Sequence, residues 1–255
     1  MNGELIKTLS HCKFDLVKSS ILLGYRGSVT HGTYVGGKDS IDDKDVMGIC
    51  LPPKEYYFGL DKFEQYEKFE GEWDVVIYSI KKYFRLLLKN NPNVMSLLWL
   101  PDRYYIQKTE LGQTIIDNRD LFSSKQAYKS FCGYAYGQLH RMTHGKNLGY
   151  MGEKRKALVK RYGYDCKNAS HLIRLLKMGI EFLTTGEMLV DRPEKHQLLE
   201  IKKGLWTLEK VQKRADELFS AMEYAYINSR LKDKPDYDKI NKLLIDITGK
   251  GLDES

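Results

Sequence analysis

The chain has 255 residues, 42% of them hydrophobic, and a formal net charge of +7. That is enough apolar material for one large domain or two small ones sharing an interface, and no apolar run approaches the roughly 18 to 20 residues that cross a bilayer. The stretch Met1-Asn2-Gly3-Glu4-Leu5-Ile6-Lys7 carries an acid and lacks the apolar core of a secretory leader, so a cytoplasmic location is expected, and the basic balance favours a polyanionic partner.

The first third reads as strand-rich. Ile21-Leu22-Leu23-Gly24-Tyr25, Val46-Met47-Gly48-Ile49-Cys50-Leu51 and Trp73-Asp74-Val75-Val76-Ile77-Tyr78 are short apolar runs, the second stopped by Pro52-Pro53. The third is rich in the β-branched and aromatic residues that pack on a pleated surface. Ser79 is placed to cap a helix over 80–89, and Asn91-Pro92 to start a short one through Trp99. From about Thr109 the periodicity is helical, with helices expected over 110–118, 125–142, 153–162, 168–184, 194–203, 208–229 and 237–247. The composition shift near residue 105 divides the chain into 1–105 and 106–255. The expected class is α+β, a small mixed sheet with flanking helices followed by a helical C-terminal half. Cys12, Cys50, Cys132 and Cys166 show no metal-ligand spacing and are expected as buried, reduced thiols.

Chemistry concentrates in Gly24-Tyr25-Arg26-Gly27-Ser28-Val29-Thr30-His31-Gly32-Thr33 and Asp42-Asp43-Lys44-Asp45-Val46. A Gly27-Ser28 turn after a strand leaves room for a phosphate and offers amide and hydroxyl donors. Asp43 and Asp45, two apart at the entry to a strand, point to one face. Asp74, the one acid in an otherwise apolar strand, supplies a third carboxylate. Such a set repels itself unless a cation is present; with Mg²⁺ or Mn²⁺ it suits two-metal chemistry. The bland alternative is a common turn beside a solvated acidic loop.

These residues resemble the nucleotidyltransferase pattern of the DNA polymerase beta superfamily: a glycine-serine turn, two acids one residue apart, and a third acid on a later strand. The resemblance assigns Asp43, Asp45 and Asp74 as metal ligands and catalytic residues. The gap between Gly27-Ser28 and Asp43 is at the long end of the family's range. Lys44 stands where the family usually has an apolar or aromatic side chain, and Asp42 is the alternative to Asp43.

Two later helices carry polar stripes. Tyr134, Gln138 and Arg141 fall at i, i+4 and i+7, as do Lys167, His171 and Arg174. Lys167 and Arg174 suit a triphosphate or an RNA backbone, His171 a phosphate or base, and Gln138 a base edge; the competing reading is an ordinary solvated face. Lys154-Arg155-Lys156 with Lys160-Arg161 is the densest basic cluster. The segments Gly133-Tyr134-Ala135-Tyr136-Gly137-Gln138-Leu139 and 167–176, with Asp74–Tyr78 and Asn91-Pro92-Asn93-Val94, are similar to one branch, the RNA repair pathway DNA polymerase beta family. That branch implies nucleotidyl transfer from an NTP with an RNA end as acceptor, the first third being catalytic and the helical half substrate-binding. Transfer to a protein or small-molecule acceptor, and a catalytically silent RNA-binding module, remain as alternatives. Nucleotide choice and oligomeric state are open.

Overall fold

The computed structural model describes residues 3–36, 42–143 and 153–253. The three apolar runs form the middle of a five-stranded sheet. Its strands are β1 (Ser20–Tyr25), β2 (Lys44–Cys50), β3 (Gln65–Glu70), β4 (Trp73–Ser79) and β5 (Tyr105–Lys108), ordered β3-β4-β2-β1-β5. β2 and β4 run parallel, and the other three pairings are antiparallel. Central strands bury both faces and therefore read as continuous apolar runs. The two edge strands, β3 and β5, are more polar and were not among the expected strands.

Helices α1 (Gly3–Leu9) and α2 (Leu16–Ser19) cover one face. Leu5, Leu9 and Leu16 pack there with Leu23, Val46, Cys50, Trp73, Val75 and Ile77. After the short α3 (Glu55–Phe58), Ser79 caps α4 (Ile80–Leu87) by accepting from the Lys82 amide. Asn91 caps α5 (Pro92–Met95), with Pro92 in the first turn, where its missing N–H costs nothing. The chain then tightens into a 3-10 turn over Ser96–Trp99. Thr109 caps α6 (Glu110–Asp117), whose Gly112 lies so close to the Ile21 carbonyl that a Cβ would collide with it. Asn90, in the turn after α4, has φ 48 and is fully buried. Its amide donates to the Leu87 and Phe122 carbonyls, which offsets the left-handed backbone.

The helical half contains α7 (Ala127–Thr143), α8 (Glu153–Tyr162), α9 (Cys166–Thr185), α10 (Lys195–Lys202), α11 (Leu208–Asn228) and α12 (Tyr237–Asp253). Asp165 caps α9 and Gly186, at φ 77, ends it. α9 is the central helix, packed by α7, α8, α10 and α11. Phe131 near the start of α7 meets Gly179 and Phe182 near the end of α9, so these two helices run antiparallel.

Two compact units result. Met1–Tyr34, Asp42–Phe122 and Pro235–Ser255 belong to the first, and Ser123–Lys234 is the body of the second. The first unit runs beyond residue 105 because β5 pairs with β1 and α6 packs on the sheet. It also recovers α12, whose Ile240 and Ile247 are buried and which packs on α4 and α6. An amphipathic pattern announces α12 as a helix but cannot say which unit takes its apolar face. Among the described residues, no helix is long and apolar enough to cross a membrane. All four cysteines are free; Cys50, Cys132 and Cys166 are buried and Cys12 is partly exposed.

Candidate active site

Strand pairing brings two of the three expected acids together. Asp45 of β2 and Asp74 of β4 are direct partners across the parallel ladder, so their side chains leave the sheet side by side on one face. Asp43 stands one residue before β2 and is partly exposed, whereas Asp42 is buried. Lys44 points the other way: its ammonium lies 5.2 Å from the centre of the Trp73 ring and pairs with Glu72. The Glu72 hydrogen bond raises the Lys44 pKa, against a smaller opposing effect of burial. This cation–π contact on the opposite face is the physical reason an unusual lysine is tolerated between the acids.

The Gly27–Ser28 turn closes over the same acids. Gly27 has φ 66, and a Cβ there would collide with the Asp45 carboxylate, so only glycine fits on both counts. The turn is held by amide bonds from His31 to the Gly27 carbonyl and from Thr33 to the Ser28 carbonyl. The Thr30 hydroxyl also donates to the Gly27 carbonyl. Ser28 is buried and its Oγ has no hydrogen-bond partner among the described residues. Arg26 immediately precedes the turn. Its amide donates to the Asp45 carbonyl, and its Nη2 lies 3.2 Å from Asp74 Oδ2. The Arg26 Nε is buried without an acceptor among the described residues. Arg26 and Ser28, flanking Gly27, thus present orphaned donors beside two carboxylates, and such donors call for an acceptor.

Among the described residues, no group of three or more His, Cys, Asp or Glu side chains is gathered closely enough to hold a metal ion. The donor set still fits a hard divalent cation in kind: carboxylate oxygens only, two of them in register. Arg26 supplies the positive charge that Asp74 has in this arrangement.

In the second unit the two polar stripes lie on α7 and α9. Antiparallel packing sets Gln138 and Arg141 level with the first half of α9, which carries Lys167, His171 and Arg174. Gln138 is partly exposed, with its Oε1 buried and unpartnered among the described residues; Arg141 is exposed, its guanidinium against Gly137. Lys167 and His171 are partly exposed. Arg174 is partly exposed as well, but its surroundings are crowded. Burial, then the neighbouring Arg192, lower its pKa to about 10 against a smaller opposing pull from Glu194. In the basic cluster, the side chains of Lys154 and Arg155 lie outside the described residues. Lys156, Lys160 and Arg161 line α8, with Arg161 over the Tyr162 ring at 5.1 Å.

Sequence reasoning passed over Arg26, Lys177, Arg192 and Glu194. Arg26 was within reach: one residue past the end of β1, alternation puts it on the Gly24 face. No local signal exposes Arg192, whose ion partners Glu181 and Glu194 come from α9 and the lead-in to α10.

Comparison with known proteins places this sequence in a family. A nucleotidyltransferase-like protein from Exiguobacterium sibiricum 255-15 aligns over 92% of this chain and 72% of its own, at 13% identity and a TM-score of 0.29. No curated protein matches. The family model described as the RNA repair pathway DNA polymerase beta family matches residues 21–246, a span holding every acid, turn and stripe residue described above, and the chain therefore belongs to that family of polymerase beta-type nucleotidyltransferases.

Proposed function

We propose that the protein transfers a nucleoside monophosphate from an NTP to an acceptor hydroxyl, with an RNA end as the acceptor. The observation that carries this reading is the in-register pair Asp45 and Asp74 beside a buried Ser28 hydroxyl that has no partner among the described residues. The acceptor oxygen bonds to the α-phosphorus, the bond from that phosphorus to the β-phosphate oxygen breaks, and pyrophosphate leaves. Ser28 Oγ and Arg26 Nε donate to phosphate oxygens, and Gly27 keeps the turn low enough for them to approach. Asp43, Asp45 and Asp74 are the residues that would hold Mg²⁺ or Mn²⁺, with Asp42 the alternative to Asp43. When bound, such ions neutralise the triphosphate and favour the ionised acceptor hydroxyl.

The first unit is the catalytic domain in this reading. The second binds substrate, with Lys167, His171 and Arg174 meeting phosphates and Gln138 and Arg141 meeting base or backbone. The net charge of +7 supports a nucleic-acid acceptor over a neutral one.

The test is to incubate the protein with Mg²⁺ or Mn²⁺, each labelled NTP and a pool of RNA ends, proteins and small acceptors. Label on RNA, lost in Asp45→Asn, is the expected result. Label on a protein or a small molecule would replace the acceptor, and RNA binding with no transfer under any condition would leave a silent binding module.

A further inference from the structure

The middle of α9 holds two half-buried cations, Arg174 and Lys177, that the carboxylates around it do not pair with. Arg192 is 3% exposed and sits between two acids: its Nη1 lies 3.2 Å from Glu181 Oε2 and its Nε 3.0 Å from Glu194 Oε1. Both carboxylates are thereby engaged. Arg174 and Lys177 have no carboxylate partner among the described residues. The Arg174 Nη1 contacts the Met178 sulfur at 3.1 Å, and a thioether is a weak acceptor. The Lys177 Nζ is 2.9 Å from Gln197 Oε1, which is neutral. Arg214, the next cation, is matched by Glu217 at 2.7 Å. Arg174, Lys177 and Arg192 against Glu181 and Glu194 leave one positive charge in excess.

Burial lowers the pKa of both Arg174 and Lys177; Arg192 pushes each in the same direction, and Glu194 pulls each back without restoring it. An ion left in this state works against folding, so its retention points to a ligand that supplies the missing negative charge. The ligand must be anionic, and it must be compact. RNA backbone running over a surface is met by exposed side chains, whereas Arg174 is recessed between Met178 and Arg192. A terminal phosphoryl group has several free oxygens and at least one full charge at its tip. It can take the guanidinium fork on one edge and the ammonium on another.

We propose that Arg174 and Lys177, one turn apart on α9, form a subsite for the terminal phosphoryl group of the substrate. The identity of that substrate rests on the nucleotidyl-transfer reading above. The phosphoryl group comes from the triphosphate tail of the NTP or from a phosphorylated RNA end.

Equilibrium binding to the full chain separates these sources. The probes are an unreactive NTP analogue and the matching nucleoside, and an end-phosphorylated RNA and the same RNA dephosphorylated. Arg174→Gln and Lys177→Gln each weaken binding of the phosphate-bearing member of one pair about tenfold or more and leave its phosphate-free partner unchanged. The affected pair names the source. Equal affinities for all four probes in parent and variants overturn the subsite, as does a loss of the same size with and without phosphate.

Folding is checked by the same logic. Tripolyphosphate raises the Tm of the parent and not of Arg174→Gln, while the ligand-free Tm of Arg174→Gln is no lower than the parent's. A clear fall in that ligand-free Tm also overturns the proposal, because it would mean that Arg174 has a stabilising partner. Phosphate-dependent binding in a chain that transfers no nucleotide upholds the subsite and sinks the transfer reading. Transfer with all four probes bound alike does the reverse.

Discussion

At the head of β2 and β4 two carboxylates have one guanidinium between them; along α9 two carboxylates have one guanidinium between them and a second is left over. The ingredients are nearly the same and the surroundings are not. The Asp74 side chain is 44% exposed, so water screens its pair with Arg26 and the pair adds little stability. The Arg192 side chain is 2% exposed, and both of its acids are largely covered. There, each charge depends on the others being present. The first region is negative and open, which suits a cation arriving from solvent. The second is positive and half-closed, which suits an anion.

Four changes would break or sharpen that contrast. Asp45→Asn or Asp74→Asn is expected to lower nucleotidyl transfer on the order of 10³-fold or more, about 4 kcal/mol of barrier. Denaturant unfolding of both variants should stay within about 1 kcal/mol of the parent. Full activity in both variants would remove the acids from the mechanism. Arg192→Ala should show the opposite pattern, a stability loss of about 3 kcal/mol or more, because it strands Glu181 and Glu194. A denaturation midpoint equal to the parent's would show that this network is not closed to water. Gly27→Ala sits between these. Its φ and the clash with the Asp45 carboxylate should cost roughly 1–2 kcal/mol and reduce kcat with the fold retained.

The smallest expected effect is a null in pH. Arg174 has a folded pKa lowered to about 10, so the folded state disfavours its charged form. That penalty is fully present below pH 10 and is relieved only as pH rises beyond it. The stability difference between Arg174→Gln and the parent should therefore be flat from pH 6 to 9. A slope in that window would mean that another titrating group is coupled to the site.

The sequence exposed the acid-bearing face better than it exposed the edges of the sheet. The apolar runs of β1, β2 and β4 are continuous because these strands are covered on both sides. β3, Gln65-Tyr66-Glu67-Lys68-Phe69-Glu70, alternates exposed and half-buried residues at an edge, which leaves it too polar to stand out. Register is also out of reach: residue spacing puts Asp43 and Asp45 on one face, but only the ladder makes Asp45 and Asp74 neighbours. The α9 stripe shows the complementary limit. Spacing found Lys167, His171 and Arg174 on one side of a helix. The depth of Arg174 depends on Met178, on Arg192 and on α10, and no repeat in the local sequence encodes those.

The return of α12 to the first unit has a consequence for biosynthesis. Ile240 and Ile247 are buried there, and Gly251 lies so close to Leu51 that a Cβ would collide with its side chain. The sheet unit is therefore discontinuous, with Ser123–Lys234 made between its two parts. During synthesis, the segment that carries Asp45 and Asp74 leaves the ribosome early but cannot finish its core until residues near 250 have followed. The helical segment, complete in one stretch, can fold first. Whatever the acids do, the unit that carries them is complete only once residues near 250 have joined it.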